Sequence, residues 1–421
     1  MANYSIENEL FNCYKYFMDF TNFNEQSPGY GLTLDNTTKI DSCSIAATGF
    51  MLASLVIGVE HKWINYKEAL KRVVKTLENY YYNIQHFNGF FVHFVDIKTG
   101  KRFKKCEYST IDTNLLLNGI IVADSYFNDE RVHELTNSIL DRIQWDALLK
   151  YYEGKLVFKM SYNELKDGDY KEKMDENWIY QWHMYAEQLT MYIIAAGSDT
   201  ISETQARELF NGFRRDKKET PNGAFVRCPT GSLFTYQFSH CWFDFNKYLD
   251  DTGFDWHHNS YLAVMDNYNF CKENYPKTLG KSGLWGVSAS DGPKGYKCYG
   301  LPPYGYDDGL VEEALEVDGT ISPYAILSSI NFNEKLVLKT FNKLINDYPE
   351  MIGIYGLKDA INIEKKNVWM SKRFYGIDKG ITLLMLENYK SQLIWKLFTN
   401  HPYVQKAIKK LGFIKKDNAN D

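Results

Sequence analysis

Proline is scarce in this sequence, with 10 in 421 residues, three of them inside the glycine-rich stretch 280–309. No low-complexity tract or polar linker marks a domain boundary, so residues 1–421 read as one domain. Cysteine is sparse and odd in number: Cys13, Cys43, Cys106, Cys228, Cys241, Cys271 and Cys298 contain no C-x-x-C pair. That excludes a disulfide framework and a zinc site of familiar spacing and fits a reducing compartment. There is no excess of positive charge, since 48 Lys and Arg against 53 Asp and Glu give a net charge of -5; a nucleic-acid footprint is missing. The longest apolar stretch, 44–59, is interrupted by Ser44, Thr48 and Ser54. It falls short of the roughly 18 to 20 residues that span a bilayer and reads as a buried helix. The opening MANYSIENELFNCYKYF has acids and amides where an export signal has lysines and then an apolar run, so a cytoplasmic protein is expected. The nine histidines, including the adjacent His257 and His258, show no H-E-x-x-H spacing, and no G-x-S-x-G elbow, Walker motif or dinucleotide fingerprint occurs. No metal or cofactor is expected.

Aromatic residues are abundant: 32 Tyr, 26 Phe and 9 Trp make 16% of the chain. They supply either flat faces for stacking on sugar rings or an aromatic-rich core. Apolar residues at three- and four-residue spacing predict helices over 6–20, 44–59, 66–81, 113–127, 131–143, 182–196, 203–213, 261–273, 333–345 and 381–398. Strand signals are few, chiefly 90–96 before the turn Lys98-Thr99-Gly100 and a weaker one at 224–227. The pattern is all-α with small β-hairpin decorations. The segment 277–323 is too rich in glycine, proline and aromatics for a helix and too long for a connection, which makes it a candidate binding loop.

Several acids stand in apolar surroundings. Glu187 is the one carboxylate in WHMYAEQLTMYIIAA, in line at helical spacing with His183, Met191 and Ile194. A desolvated glutamate keeps its proton to higher pH and can donate it to a leaving oxygen; the structural alternative is a rim glutamate held by a lysine or arginine. Asp378 precedes the apolar run ITLLMLENYKSQLIWKLF, where a helix N-cap would sit, and Glu387 is a second lone acid within that run. Asp112, near Glu107, opens another helix as a cap or as a ligand contact. FTYQFSHCWFDF brings His240, Trp242 and Asp244 together, a mixture that suits hydroxyl recognition as well as core packing.

Taken together, SIAATGFMLASLVIGVE, GFFVHFVDIKTGKR, EYSTIDTNLLLNGI, YAEQLTMYIIAAGS, FTYQFSHCWFDF, LWGVSASDGPKGY, YGLPPYGYDDG, YGIDKGITLLMLENYKSQLIWKLF and HPYVQKAIKKLGF resemble the glucoamylase-like domain family. Its characterised members include endo-β-1,2-glucanases of glycoside hydrolase family 144. The blocks run in family order from about Ser44 to Phe413. The resemblance implies an (α/α)6 barrel and hydrolysis of β-glucans or gluco-oligosaccharides, particularly β-1,2-linked, by an inverting acid/base mechanism without metal. In such enzymes the two carboxyls lie roughly 6.5 to 9.5 Å apart. By motif position Glu187 matches the general acid and Asp378 the base. Asp112, Trp242, Trp285, Asp291, Tyr304 and Asp307 match substrate-contact positions, and Trp182, His183 and His240 join them as candidate wall residues. The implied partner is an oligosaccharide or glucan, with no nucleic acid and no membrane.

Two departures bear on this expectation. Where relatives often read W-D-G-Y-N-E, this chain has Trp182-His183-Met184-Tyr185-Ala186-Glu187, which alters the pocket wall at His183 and Ala186. Lys379 follows Asp378 in place of a common glutamine, a positive charge that would lower the base's pKa or bind an anion such as phosphate. A glucosyltransferase or phosphorylase-like activity, and a glycan-binding protein without catalysis, are therefore the competing readings.

Overall fold

The computed structural model describes residues 4–170, 174–305 and 317–416. Fourteen α-helices run through them: α1 (Ile6–Phe20), α2 (Ile45–Glu60), α3 (Tyr66–Tyr82), α4 (Thr110–Phe127), α5 (Glu130–Arg142), α6 (Leu189–Gly197), α7 (Glu203–Phe210), α8 (Trp256–Asn274), α9 (Leu279–Ser282), α10 (Pro323–Leu327), α11 (Glu334–Asp347), α12 (Gly376–Ser391), α13 (Leu393–Asn400) and α14 (Pro402–Leu411). Polar residues just ahead of several helices explain where they start. The side chains of Ser44, Asn65 and Ser109 accept the first free N–H groups of α2, α3 and α4, and Ser5 and Ser202 form capping boxes on α1 and α7.

The helices are of two kinds. In α2 every residue from Ile45 to Gly58 is buried, and α6 is buried throughout its length. Helices that are apolar all round belong in an interior. In α3, by contrast, Ala69, Val73, Thr76, Leu77 and Tyr80 bury one stripe, and α5, α11 and α14 behave likewise. The one-faced helices pack on the fully buried ones or on each other: α14 and α7 on α6, α1 on α12, and α3 on α5. Closest of all is α2 on α4, where a Cβ on Gly119 would stand 2.0 Å from the Gly49 carbonyl oxygen, so glycine is required at the crossing. One continuous apolar core runs from Leu10 to Leu411.

Three expectations need correction. The predicted helix 182–196 begins only at Leu189. Trp182 instead donates its N–H to Phe158 O at 2.7 Å, and the Gln188 side chain ties together Ala186 N and Met184 O. Apolar residues buried on all sides of an irregular segment imitate a helical pattern there. The predicted helix 381–398 starts earlier, at Gly376, and breaks at Gln392, whose φ of 59° is left-handed. The β structure also exceeds hairpin decorations. Lys155–Tyr162 pairs antiparallel with Leu149–Tyr152, Trp178–Gln181 and Tyr108–Ser109, and Met174–Asp175 adds to the edge of Trp178–Gln181. KLVFKMSY buries three successive residues, Leu156 to Phe158, and so lacks the alternation that announces a strand. The short strands Phe90–Phe91, Phe94–Asp96 and Phe225–Val226 lie within the predicted pieces. Among the described residues no helix is long and apolar enough to cross a membrane.

Candidate active site

The start of α4, the approach to α6 and the starts of α10 and α12 converge on one end of the helical core, and the sheet closes their flank. Between them lies a cavity of about 410 Å³. Asp112, Glu187, Tyr324, Ile377 and Asp378 come from the helix starts; Met160, Ser161, Ile179, Tyr180 and Trp182 come from the sheet and its continuation. His93, Glu107, Phe234, Phe238, Tyr170 and Tyr296 complete most of the wall. Helix N-termini present unpaired N–H groups and partial positive charge, which favours the carboxylates and substrate oxygens gathered there.

Glu187 stands one residue ahead of the cap of α6, held by Ser239, whose hydroxyl donates to the Glu187 carbonyl at 2.7 Å. Its side chain lines the cavity. Burial, with Asp112 adding repulsion, pushes its pKa up to about 7. That is the proton affinity a neutral-pH general acid needs.

Asp112 lies in the first turn of α4, but Ser109 is the cap. The Ser109 hydroxyl donates to Asp112 Oδ2 at 2.5 Å, and His93 Nε2 stands 3.4 Å from the same oxygen. On its other side His93 Nδ1 meets Glu107 Oε1 at 2.7 Å. Burial works against charge on His93, yet Asp112 and Glu107 outweigh it and raise its pKa to about 9. The imidazolium is thereby clamped between two carboxylates, and Asp112 is fixed towards the cavity.

Asp378 is not a helix cap. Tyr375 occupies that position without any side-chain capping bond, and Asp378 is the third residue of α12. Its carboxyl is buried beside that of Asp359; burial first, and Asp359 second, hold its pKa well above the ordinary carboxylate range. Asp359 sits between the strands Gly356–Leu357 and Ile361–Asn362 and accepts the Asp291 N–H at 2.7 Å. Lys379 points away from the cavity: it is buried, donates to Leu357 O at 2.5 Å and pairs with Glu9 at 3.3 Å. It is no anion site at the cavity wall.

The remaining candidates divide. Trp182 lines the cavity with its indole N–H bonded to Thr110 Oγ1 at 3.0 Å. His183 is buried behind the wall, its ring 4.5 Å from that of Tyr152. His240, Trp242 and Trp285 are core residues and not substrate contacts. His240 is enclosed by Phe245 and Phe332 with Ser260 2.8 Å from Nε2; Trp242 packs on Phe50; the Trp285 indole donates to Thr340. Asp291 supports from behind, its backbone N–H on Asp359 and its carboxylate receiving Ser371 Oγ at 2.7 Å with Arg373 3.6 Å away. Tyr304 is exposed, donates to Gly300 O at 2.9 Å, and is not among the described residues that line the cavity. Asp307 lies outside the described residues. Glu387 pairs with His61 at 2.7 Å and is structural. Among the described residues no group of three or more His, Cys, Asp or Glu is placed to hold a metal ion.

Sequence reasoning missed His93, Asp359, Tyr180, Tyr296 and Tyr324. Asp359 follows a short strand with no motif around it. Tyr180 adopts a left-handed φ of 50° within a strand at the cavity wall, a strained conformation that clusters at functional sites and that no composition signal announces.

Comparison with known proteins gives the same neighbourhood. Residues 179–402 match the glycoamylase family model, described as "Putative glucoamylase". A curated exo β-1,2-glucooligosaccharide sophorohydrolase (non-reducing end) from Parabacteroides distasonis is 24% identical over 92% of this chain, and the chain spans 56% of that relative's length. A crystal structure from Bacteroides uniformis, given the family's own description, superposes with a TM-score of 0.82 at 23% identity, covering 99% of both chains. The endo-β-1,2-glucanase of Chitinophaga pinensis, solved with sophorotriose and glucose, does so at 0.80 and 24% identity, covering 98% of this chain and 99% of that one.

Proposed function

This chain belongs to the glycoamylase family, and on that premise we propose that it is a glycoside hydrolase acting on β-1,2-linked gluco-oligosaccharides by an inverting acid/base mechanism within a single (α/α)6 barrel. In this reading the fully buried helices form the inner ring and the one-faced helices the outer. Glu187 protonates the glycosidic oxygen as the bond breaks, and Asp378 takes the proton of the attacking water on the other side of the sugar. Asp112, held by Ser109 and His93, accepts hydroxyl hydrogens of the bound sugar, and the rings of Trp182 and Tyr296 offer stacking faces.

The observation that carries the proposal is the pair of acids on one cavity wall, one of them, Glu187, retaining its proton to about pH 7. Support for the linkage comes from the relatives: the Parabacteroides protein is a β-1,2-glucooligosaccharide hydrolase and the Chitinophaga protein a β-1,2-glucanase. Transfer to phosphate is disfavoured, because Lys379 is turned into the core and His93, the cationic side chain on the described wall, is already engaged by Glu107 and Asp112. The altered positions His183 and Ala186 are buried and outside the described lining, so they argue little against catalysis. The test is incubation with β-1,2-gluco-oligosaccharides of defined length, with and without phosphate, followed by product chromatography. Shorter oligosaccharides without sugar phosphate are expected; phosphate-dependent cleavage would favour the phosphorylase reading, and binding without turnover a glycan-binding role.

A further inference from the structure

The assignment of Asp378 as base leaves Asp359 unexplained. Asp359 is buried and outside the described cavity lining, so no substrate contact accounts for it. Its carbonyl receives the Ser322 hydroxyl at 2.5 Å and its Oδ2 receives the Asp291 N–H at 2.7 Å, so its position is fixed from two sides. Yet Asp359 Oδ1 and Asp378 Oδ2 are both buried without any hydrogen-bond partner. An unpaired buried carboxylate oxygen is costly, and two adjoining carboxylates cannot both stay ionised. A single proton between them removes both difficulties. The Asp291 N–H favours negative charge on Asp359, while Asp378 Oδ2 has no donor to favour charge there.

Resting on the reading of Asp378 as base, we propose that Asp359 is the positioning residue that governs its charge: the pair holds one proton, which stays on Asp378 and is donated to the Asp359 carboxylate. Asp378 becomes competent as a base only when that proton leaves.

Of the neighbouring groups, Lys379, Arg373 and the tyrosines keep their charge states through the relevant range. Lys379 stays protonated against Glu9 and compensates one negative charge, not two. Arg373 is held cationic beside Tyr375 and Asp291. Burial keeps Asp35 above its ordinary value, with Asn36 donating to it at 2.8 Å. The hydroxyls of Tyr16, Tyr296, Tyr324 and Tyr375 are all pushed up, burial first, so they remain neutral and cannot shape a profile near neutrality.

The experiment is the pH profile of kcat/KM on a β-1,2-linked glucotriose for the parent, Asp359→Asn and Asp378→Asn. Replacing Asp359 by a neutral amide removes the charge that holds the proton on Asp378. The rising limb should move at least one unit towards acid, so that one unit below the parent's midpoint the variant keeps at least about fivefold more of its maximal activity than the parent does. A rising limb that stays in place or moves towards alkali overturns the proposal, provided Asp378→Asn is inactive. An active Asp378→Asn enzyme would instead overturn the base assignment itself. Should Asp359→Asn fail to fold, difference infrared spectroscopy in a Glu187→Gln background decides. A protonated carboxyl band at about pH 6 that Asp378→Asn abolishes is expected, and no such band contradicts the shared proton.

Discussion

Glu187 owes its chemistry to where its carboxyl is kept. The same burial that raises its pKa from 4.5 to about 7 makes it a liability for stability. Below about pH 4.5 it is protonated whether folded or not and costs nothing. As pH rises towards 7 the unfolded chain gains by ionising it and the folded protein does not, so stability falls across that window and stays lowered above it. Glu187→Gln should therefore melt close to the parent near pH 4.5 and higher than the parent above pH 7, by up to about 3 kcal/mol in unfolding free energy. Its turnover should drop by roughly two to four orders of magnitude on substrates with poor leaving groups. A variant no more stable at alkaline pH would remove the desolvation argument. The charge on His93 runs in the opposite sense. Its pKa, raised to about 9, stabilises the fold below its ordinary 6.5, and that contribution is lost as pH climbs from 6.5 through 9. His93→Gln should flatten the fall of Tm over this interval; a parallel fall in parent and variant would contradict the clamp between Asp112 and Glu107.

At the scale of elements, the crossing of α2 and α4 sets the frame on which Asp112 and Asp378 are mounted. In a free helix Gly119→Ala would gain about 1 kcal/mol. Here the added methyl meets the Gly49 carbonyl at 2.0 Å, and the helices must part. We expect urea denaturation to show a net loss of about 1 to 3 kcal/mol, whereas a gain would mean that the crossing is looser than its geometry. The helices were legible in the sequence because periodic apolar residues and polar caps are local signals: α1, α3, α5 and α11 begin within a residue or so of the expected positions. The approach to α6 was not. Trp182 to Gln188 is as apolar as a helix but spends its hydrogen bonds on Phe158 and on the Gln188 side chain. The sheet escaped notice because the pairing partners of Lys155–Tyr162 include Tyr108–Ser109, far away in sequence, and long-range pairing leaves no periodic trace.

At the scale of the whole molecule, the cavity exists because separate helices begin at the same end of the core. Sequence blocks in family order were enough to bring Glu187, Asp378, Asp112 and Trp182 to one place, and the cavity does gather all four. They did not tell a wall from a core. Trp242, Trp285 and His240 stand beside motif residues yet face inward, and aromatic or histidine character alone does not say which way a side chain points. Asp359 entered only through folding, since it is carried to Asp378 by a loop with no pattern of its own. The proposed function rests on Glu187 acting on a β-1,2 glucosidic bond. The measurement that tests this most directly is product chromatography of β-1,2-gluco-oligosaccharides treated with equal amounts of the parent and of Glu187→Gln, each shown to be folded. Cleavage by the parent and almost none by the variant is expected. Cleavage of only β-1,4- or α-linked controls by the parent, or equal cleavage by both proteins, would contradict it.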